Sequence, residues 1–456
     1  MNQFIKALFF LVVFLSSLRP VLAKDDLPSL PKGPLILTSV RPEQLSANYW
    51  IHRLPEPDRA LKTPEELRIL NEDIHREISQ VVDVFSMESR RAGGPIREQI
   101  ELEYGALKGR VLYGVDGRRI PKMVFEQDIK PLIQTEKIPG SIAMKWGVAT
   151  RPTSVRALPS DIKMLEAVGD VEFDQLQFTL IKLWTPVSIY HVSNNNEWLY
   201  IQAPYVRGWV KAKDIAFFSN RAELKKYVKS NPFLVVAGES TLLFSDPSLQ
   251  TILQRPSMGT LLPLMGKIAD AYIVWLPRRG ANGAASMYRG FIHSRSDVSE
   301  GFPSFTQRHI IQQAFKLLSA RYGWGGTYNG RDCSGFTQDV FLSLGVEMPR
   351  GSKEQVFVGT QINHFEYKED KEAKIAALQS VTPGITLLRM PHHQMIYLGE
   401  ENGQFYAIHS TWAERISMTS DKKRRINQVV VSDLSLNGNS YLGSLFDRII
   451  SVNEID

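Results

Sequence analysis

The 456-residue sequence holds a single cysteine, Cys333. One thiol excludes an internal disulfide framework and any zinc site built on several thiolates. Blocks of like charge are also missing: 54 basic residues stand against 48 acidic ones, a net +6, with no run of five or six of one sign. Nucleic-acid binding, which needs a clustered basic stripe, is therefore not expected. The longest basic run, Lys422-Lys423-Arg424-Arg425, reads as a solvated loop. After residue 23 no apolar run approaches the roughly 18 residues of a spanning helix. No cofactor or metal is expected. What remains is ordinary globular usage, 43% hydrophobic and 22% charged, which excludes a disordered or collagen-like chain. At roughly 150 residues per domain the length predicts about three domains.

Residues 1–23 read as a signal peptide. Lys6 gives a positive start, Ala7 to Leu18 is apolar apart from two serines, and Val21-Leu22-Ala23 offers small residues at positions −3 and −1 of a cleavage site. The alternative is an uncleaved N-terminal anchor. No cysteine follows Ala23, so a lipoprotein anchor is not expected. Cleavage removes Lys6 and Arg19 and no acid, leaving 52 basic residues against 48 acidic. The expectation is an exported protein of the periplasm or cell envelope whose lone thiol meets an oxidising compartment. Such a thiol is an intermolecular pairing site, a buried inert group or a nucleophile.

Residues 24–40 carry three prolines and read as an extended arm. Thr63-Pro64-Glu65-Glu66 is a helix-start signal, and a helical pattern runs from there towards Arg91. A second helix is predicted over 96–107. Residues 24–140 thus form a helical N-terminal region without visible chemistry. From 141 to 300 the pattern changes to short β-prone runs separated by turn residues. Phe178–Leu183, Val187–Val192, Trp198–Gln202 and Gly208–Val210 fit one small barrel, residues 141–222. Phe233–Ala237, Thr260–Leu264, Tyr272–Leu276 and Gly290–His293 fit a second, residues 223–300. Arg207-Gly208-Trp209-Val210 and Arg289-Gly290-Phe291-Ile292 fall late in each, which suggests a divergent duplication. Residues 301–456 return to mixed α/β and contain every catalytic candidate. The fold class is multidomain α+β.

Asp332-Cys333-Ser334-Gly335-Phe336 follows a glycine-rich stretch and opens a helical pattern that ends at Gly345. Asp332 is a good N-cap. Cys333 then lies in the first turn, where free N–H groups and the positive dipole end favour a thiolate and offer an oxyanion donor. A thiolate needs a base. Strand-like runs from His393 to Gly399 and from Gln404 to His409 flank the hairpin signal Glu400-Glu401-Asn402-Gly403. A two-residue Asn-Gly turn pairs 401 with 404 and puts His393 and His409 on opposite faces. A three-residue loop with Gly403 left-handed pairs 400 with 404, sets 395 opposite 409, and makes His393 and His409 diagonal neighbours about 7–8 Å apart. The second register is expected, with His393 taking the thiol proton and His409 holding its ring. His392, on the other face, is the rival base.

Tyr322-x-Trp-Gly-Gly, Asp332-Cys-Ser-Gly-Phe, Pro349-Arg350-x-Ser352-x-x-Gln355 and His393-x-x-x-Tyr-Leu-Gly, within about residues 305–415, resemble the NlpC/P60 cysteine peptidases. The resemblance implies a papain-like catalytic domain over 301–456 that cleaves bacterial cell-wall peptides, with Cys333 as nucleophile, His393 as base, His409 as its orienting partner and a transition-state role for the Tyr322 hydroxyl. Phe173-Asp174-x-Leu-Gln and Gly208-Trp209-Val210 resemble bacterial SH3 modules. The whole arrangement resembles a subgroup with a stabilising N-terminal domain and two SH3-like domains. In recycling-type members the acid before the cysteine binds the free amine of an L-Ala-γ-D-Glu-diamino-acid stem. Asp332 occupies that position, and Ser352 matches a serine near the D-Glu carboxylate; Ser334 is carried over with them as substrate-binding. An acid there also pairs an ammonium on general grounds, and N-capping alone is the alternative. Leu388-Arg389-Met390-Pro391-His392 departs from the small residues often found before the base.

The expected partner is peptidoglycan or its released stem peptides, and the expected reaction is hydrolysis of the γ-D-glutamyl–diamino-acid bond through a thioester. A wall-binding protein whose SH3 modules carry the function, and an acyltransferase on the same scaffold, are the alternatives. The first SH3-like barrel is expected to narrow the cleft, with Asn194 to Glu197, Trp198, Tyr205 and Trp209 as candidate wall residues.

Overall fold

The computed structural model describes residues 33–366 and 371–456. Residues 1–23, expected to be a signal peptide, and the first part of the proline-rich arm lie outside the described residues. The rest of that arm is irregular and buries Leu37 and Val40. The helix Pro64–Glu77 starts as its sequence dictates: the Thr63 hydroxyl accepts from the Glu66 N–H at 3.2 Å, and the Glu66 carboxylate accepts from the Thr63 N–H at 2.7 Å. It buries Leu67, Leu70 and Ile74 and stops at Glu77, well before Arg91. The sequence beyond, Ile78 to Phe85, is rich in β-branched residues that crowd a helix. An Asp83 carboxylate bonding the Phe85 N–H at 2.9 Å turns the chain instead. The next helix, Gly93–Lys108, buries Ile96, Ile100, Tyr104 and Leu107. They share one core cluster with Tyr190, Trp198, Tyr200 and Trp209.

Seven strands follow: β1 (Lys145–Ala149), β2 (Thr153–Arg156), β3 (Gln177–Ile181), β4 (Pro186–Val192), β5 (Trp198–Ala203), β6 (Val206–Lys211) and β7 (Ile215–Phe218). They form an antiparallel sheet of order β3-β2-β6-β5-β4-β1-β7. Seven more are β8 (Phe233–Val236), β9 (Leu243–Phe244), β10 (Ile252–Gln254), β11 (Leu261–Ile268), β12 (Ala271–Arg279), β13 (Ala285–His293) and β14 (Val298–Glu300). Their order, β10-β9-β13-β12-β11-β8-β14, is the same permutation displaced by seven. The paired phrases around Trp209 and Phe291 lie on the equivalent strands β6 and β13, and each pairs with its own second strand, Trp209 with Arg156 and Phe291 with Phe244. Glycine precedes both aromatics because a Cβ there would stand 2.7 Å from the Arg156 carbonyl oxygen at Gly208 and 2.4 Å from a Leu276 methyl at Gly290.

The remaining chain builds a six-stranded antiparallel sheet from β15 (Thr360–His364), β16 (Thr386–Met390), β17 (His393–Glu401), β18 (Gln404–Arg415), β19 (Lys423–Asp433) and β20 (Ser451–Glu454), in the order β15-β20-β16-β17-β18-β19. The run Lys422 to Arg425 is solvated as expected, but from Lys423 onward it is strand rather than loop. Helices Gln307–Lys316 and Cys333–Leu342 share a core cluster with Leu387, Ile396, Ile408 and Val430. Helix Pro64–Glu77 is fastened to this part by Asn71, which bonds both the Gly345 carbonyl and the Glu347 N–H at 2.8 Å. No helix among the described residues is long and apolar enough to cross a membrane.

Candidate active site

Cys333 is the first residue of its helix, and Asp332 caps it by accepting from the Gly335 N–H at 2.8 Å. The other carboxylate oxygen accepts from the Gly325 N–H at 2.9 Å and from Arg350 Nη2 at 2.5 Å. The Ser334 hydroxyl also points to the first oxygen at 3.5 Å, so three close donors and one distant one meet its roughly four acceptor positions. Arg350 also donates from Nη1 to the Ser334 hydroxyl at 2.9 Å and from Nε to the Thr179 hydroxyl at 2.7 Å, so one guanidinium joins the start of the helix to β3. Gln355 braces the same turn through the Ser334 and Pro349 carbonyls and the Thr337 hydroxyl. Ser352 is half-buried at the start of the short helix Ser352–Gln355.

The thiol is half-buried against the first residues of β17. Its sulfur lies 4.0 Å from the His392 carbonyl oxygen. Burial and the Asp332 charge push the thiol up to about 12, against smaller opposing effects of the Gln394 N–H and Arg350. The dipole argument alone pointed to a thiolate; in the folded chain desolvation and a neighbouring carboxylate outweigh it.

His393 Nε2 and His409 Nδ1 are 2.7 Å apart, and His409 Nε2 meets the Ser432 hydroxyl at 3.0 Å. Burial, followed by the Arg448 charge, pulls His393 down to about 3. Burial, followed by His393, pulls His409 well below the usual histidine range. Both rings are therefore neutral near pH 7. With His393 Nε2 committed to His409, its Nδ1 is the nitrogen left for a proton from outside the pair. One consistent tautomer set has His393 Nε2–H donating to His409 and His409 Nε2–H donating to Ser432. His392 is exposed, with φ at 64° in the turn between β16 and β17, so only its carbonyl approaches the thiol.

The juxtaposition of the histidines comes about differently from the expected three-residue loop. Glu401 pairs with Gln404 across a two-residue Asn402-Gly403 turn, both turn residues having positive φ, which is the preferred hairpin geometry. Uncorrected, that register separates the histidines onto opposite faces. A bulge between Tyr397 and Gly399 shifts the pairing by one residue, so that Tyr397 meets Ala407 and Ile396 meets Ile408. Gly399 has φ at 124°, a conformation that a side chain resists. Continued by one residue, the register sets Met395 opposite His409.

Tyr322 is buried, and burial together with Asp332 and Cys333 holds its hydroxyl well above its ordinary range, as a donor. Its ring stands 6.3 Å from Phe173, which also packs on Trp324 at 5.5 Å and Trp412 at 5.3 Å. The segment bearing Phe173 and β3 abuts this loop: Trp324 Nε1 donates to the Asp174 carbonyl at 3.1 Å, Gln177 Nε2 to the Gly325 carbonyl at 2.8 Å, and Arg321 pairs with the buried Glu172 at 3.1 Å. The cleft-wall residues expected from the sequence are placed elsewhere. Trp198 and Trp209 are buried in the core cluster shared with helix Gly93–Lys108, Asn194 bonds back to Leu132, and Tyr205 lines cavities between the sheets.

Ser432, Arg350, Gln355, Thr179 and Glu172 were not assigned roles from the sequence. Arg350 and Gln355 lie inside a motif already quoted, so spacing offered a signal; Ser432, Thr179 and Glu172 carry none. A cavity of ≈ 850 Å³ between helix Pro64–Glu77, both seven-stranded sheets and the last domain is lined by none of Cys333, His393, His409 or Tyr322. Among the described residues no group of three or more His, Cys, Asp or Glu is placed to hold a metal ion.

Residues 319–434 match the NlpC/P60 family, and residues 164–211 match an SH3 domain of the SH3b1 type. These matches place a domain of the NlpC/P60 peptidase family and an SH3b domain in a multidomain α+β chain. A gamma-D-glutamyl-L-lysine dipeptidyl-peptidase of Bacillus cereus is 28% identical over 214 residues, 46% of this chain and 57% of that protein. A probable endopeptidase of Corynebacterium glutamicum is 30% identical over 90 residues, 19% of this chain and 43% of that protein. The chain thus spans about half the length of the curated relatives it matches. A solved structure described as a novel NlpC/P60 endopeptidase from Photobacterium damselae subsp. piscicida shares the fold, with a TM-score of 0.74 at 18% identity over 93% of this chain and 98% of that one.

Proposed function

We propose that the chain is a cysteine endopeptidase that hydrolyses the γ-D-glutamyl–diamino-acid amide of peptidoglycan stem peptides. The observation that carries this reading is the relay of His393, His409 and Ser432 beside a lone thiol at a helix start. The resting pair is a neutral thiol and a neutral imidazole. As sulfur attacks the amide carbonyl carbon, His393 Nδ1 takes the thiol proton, and His409 accepts from His393 Nε2–H throughout. The carbonyl oxygen becomes an oxyanion, for which the Tyr322 hydroxyl and the N–H groups of the helix start are donors. The imidazolium then protonates the leaving amine as the C–N bond breaks, leaving a thioester. Water attacks the thioester while His393 takes its proton, which releases the acid and returns the thiol.

A substrate ammonium takes the place of the distant Ser334 hydroxyl on Asp332, whose contact at 3.5 Å is the weakest of its four, and Ser334 and Ser352 flank the same turn. The preferred substrate in this reading is a released stem peptide with a free amine, as the dipeptidyl-peptidase name of the Bacillus relative suggests. The catalytic domain is papain-like, and the second seven-stranded unit is a second SH3-like domain because its strand order repeats the first. Residues 1–23 direct export to the envelope.

The test incubates purified chain with free and N-acetylated L-Ala-γ-D-Glu-diaminopimelate and with crosslinked wall, reading products by mass spectrometry. Free peptide should be cleaved. Acetylated peptide and wall should be slower by roughly ten- to a hundredfold, the loss of one charge-assisted hydrogen bond. Cys333→Ala should be inactive yet folded. Equal rates on acetylated and free peptide would rule out amine capture, and amine-dependent formation of a new amide would point to acyl transfer.

A further inference from the structure

A second pocket lies behind the helix that carries Cys333. It takes Gly335, Gln338 and Asp339 from one face of that helix, Thr179 and Lys182 from the first sheet unit, and Ser240, Arg255 and Ser257 from the second. Cys333, His393 and His409 are absent from its lining, so it is separate from the reaction cleft. Its volume is ≈ 110 Å³. At about 30 Å³ per water that is room for a few waters, far below the several hundred Å³ of an organic cofactor site.

Four cationic side chains line it, Lys182, Arg255, Arg331 and Arg350, against two acids, Glu239 and Asp339. The charges are unevenly matched. Asp339 alone serves two cations, Lys182 Nζ at 2.7 Å and Arg331 Nε at 2.7 Å. Arg331 is 4% exposed, and its Nη1 is buried without a hydrogen-bond partner among the described residues. A buried guanidinium N–H left unpaired costs free energy that an acceptor would recover. Burial lowers the Lys182 ammonium, and the Arg331 and Arg350 charges lower it further against the pull of Asp339, so positive charge is crowded at this spot. The Ser240 hydroxyl adds a neutral donor beside the cations, and the Ser257 hydroxyl accepts from Lys182 Nζ at 3.1 Å.

We propose that this pocket binds one small tetrahedral oxyanion, of the class of inorganic phosphate or sulfate, between Arg331, Arg255, Lys182 and Arg350. Guanidinium forks match the oxygens of such an ion, and the volume excludes anything much larger. The pocket joins three parts of the chain, so its occupant ties both sheet units to the helix. Arg350 also holds Asp332 and Ser334, so the occupant bears on the start of that helix without touching the thiol.

Isothermal titration of phosphate into the full chain, at ionic strength held constant with chloride, tests this. One saturable site per chain is expected, weakened at least tenfold in Arg331→Gln and severalfold in Arg255→Gln. Arg255 is exposed, so the second variant decides the matter if the first fails to fold. Absence of saturable phosphate binding, or wild-type affinity in the folded variants, would overturn the proposal. So would stoichiometric displacement of phosphate by stem peptide, which would put the ion in the reaction cleft. Peptidase activity enters none of these readouts.

Discussion

At His409 the site asks for one acceptor facing His393 and one donor facing Ser432, both inside a closed core. An amide side chain supplies an acceptor of the right kind, whereas a methyl group supplies neither. His409→Asn and His409→Gln should therefore keep more activity than His409→Ala, whose kcat/KM should fall by roughly ten- to a hundredfold beyond theirs, the worth of one buried hydrogen bond. Steady-state kinetics on folded variants, checked by circular dichroism, measures the order; Ala equal to Gln would remove the orienting role. The three residues of the proposed chemistry were legible for different reasons. Cys333 stood out because it is alone and follows a capping acid. The histidines stood out because one of the two hairpin registers makes them neighbours on one face, where one ring can hold the other. Ser432 gave no signal, since a serine on a strand is unremarkable until the cross-strand partner of the next strand is known. Arg350 was visible in a motif, but its bonds reach Thr179 on a separate sheet, a contact that local spacing does not encode.

The hairpin from His393 to His409 is a case where the expected arrangement held and its cause did not. Turn chemistry pointed to the two-residue Asn-Gly loop, the catalytic reading pointed to the other register, and the chain satisfies both with a bulge at Gly399. The signal was Gly399 itself, an isolated glycine in a strand pattern. A residue bearing a Cβ resists φ near 124°, at a cost of about 1–3 kcal/mol, and the least strained escape is to remove the bulge. Gly399→Val should lower Tm by several degrees and reduce kcat/KM more than the loss of folded protein accounts for, because losing the bulge turns His409 away from His393. Thermal melts run beside activity on the same preparations check this, and unchanged kcat/KM in folded variant would show that the bulge is not needed. Helix Pro64–Glu77 illustrates the opposite error: its start was fully encoded in its cap, but its end depended on a β-branched run that had been counted as helical.

Across the whole molecule, helix Gly93–Lys108 covers the aromatic face of the first sheet unit at Tyr190, Tyr200 and Trp209. A face already occupied by its own chain is a poor wall-binding surface, which disfavours a purely adhesive protein. The cover carries a half-buried acid, Glu103. Burial raises Glu103 to about 7, against smaller opposing effects from Gln99, Arg207 and Tyr200, and its Oε2 has no hydrogen-bond partner among the described residues. Its unfolded value is near 4.5. Between that value and 7 the unfolded chain ionises first, so stability falls as pH rises through this window and stays lower above it. Glu103→Gln removes the penalty. It should leave stability unchanged near pH 4.5 and add up to about 2–3 kcal/mol above pH 7. Urea unfolding at the two pH values measures the difference, and an equal effect at both would mean that burial of the charge is not the cause. The shared strand order left only two short phrases in the sequence, around Trp209 and Phe291, because it emerges from pairings between residues far apart in the chain.

That shared order has a consequence for how the chain is made. Tandem units with one topology are prone to exchange equivalent strands while folding, which traps misassembled chains. The differences between the two units work against the exchange. Trp209 is fully buried in its sheet, whereas its counterpart Phe291 occupies a smaller site at 6% exposure. A β6 strand captured by the second unit would force an indole into a phenyl-sized space, an overpacking of about 1–3 kcal/mol. The reverse capture would leave a void beneath helix Gly93–Lys108. The difference in side-chain size at these equivalent positions thus keeps the strands of each newly synthesised unit pairing among themselves.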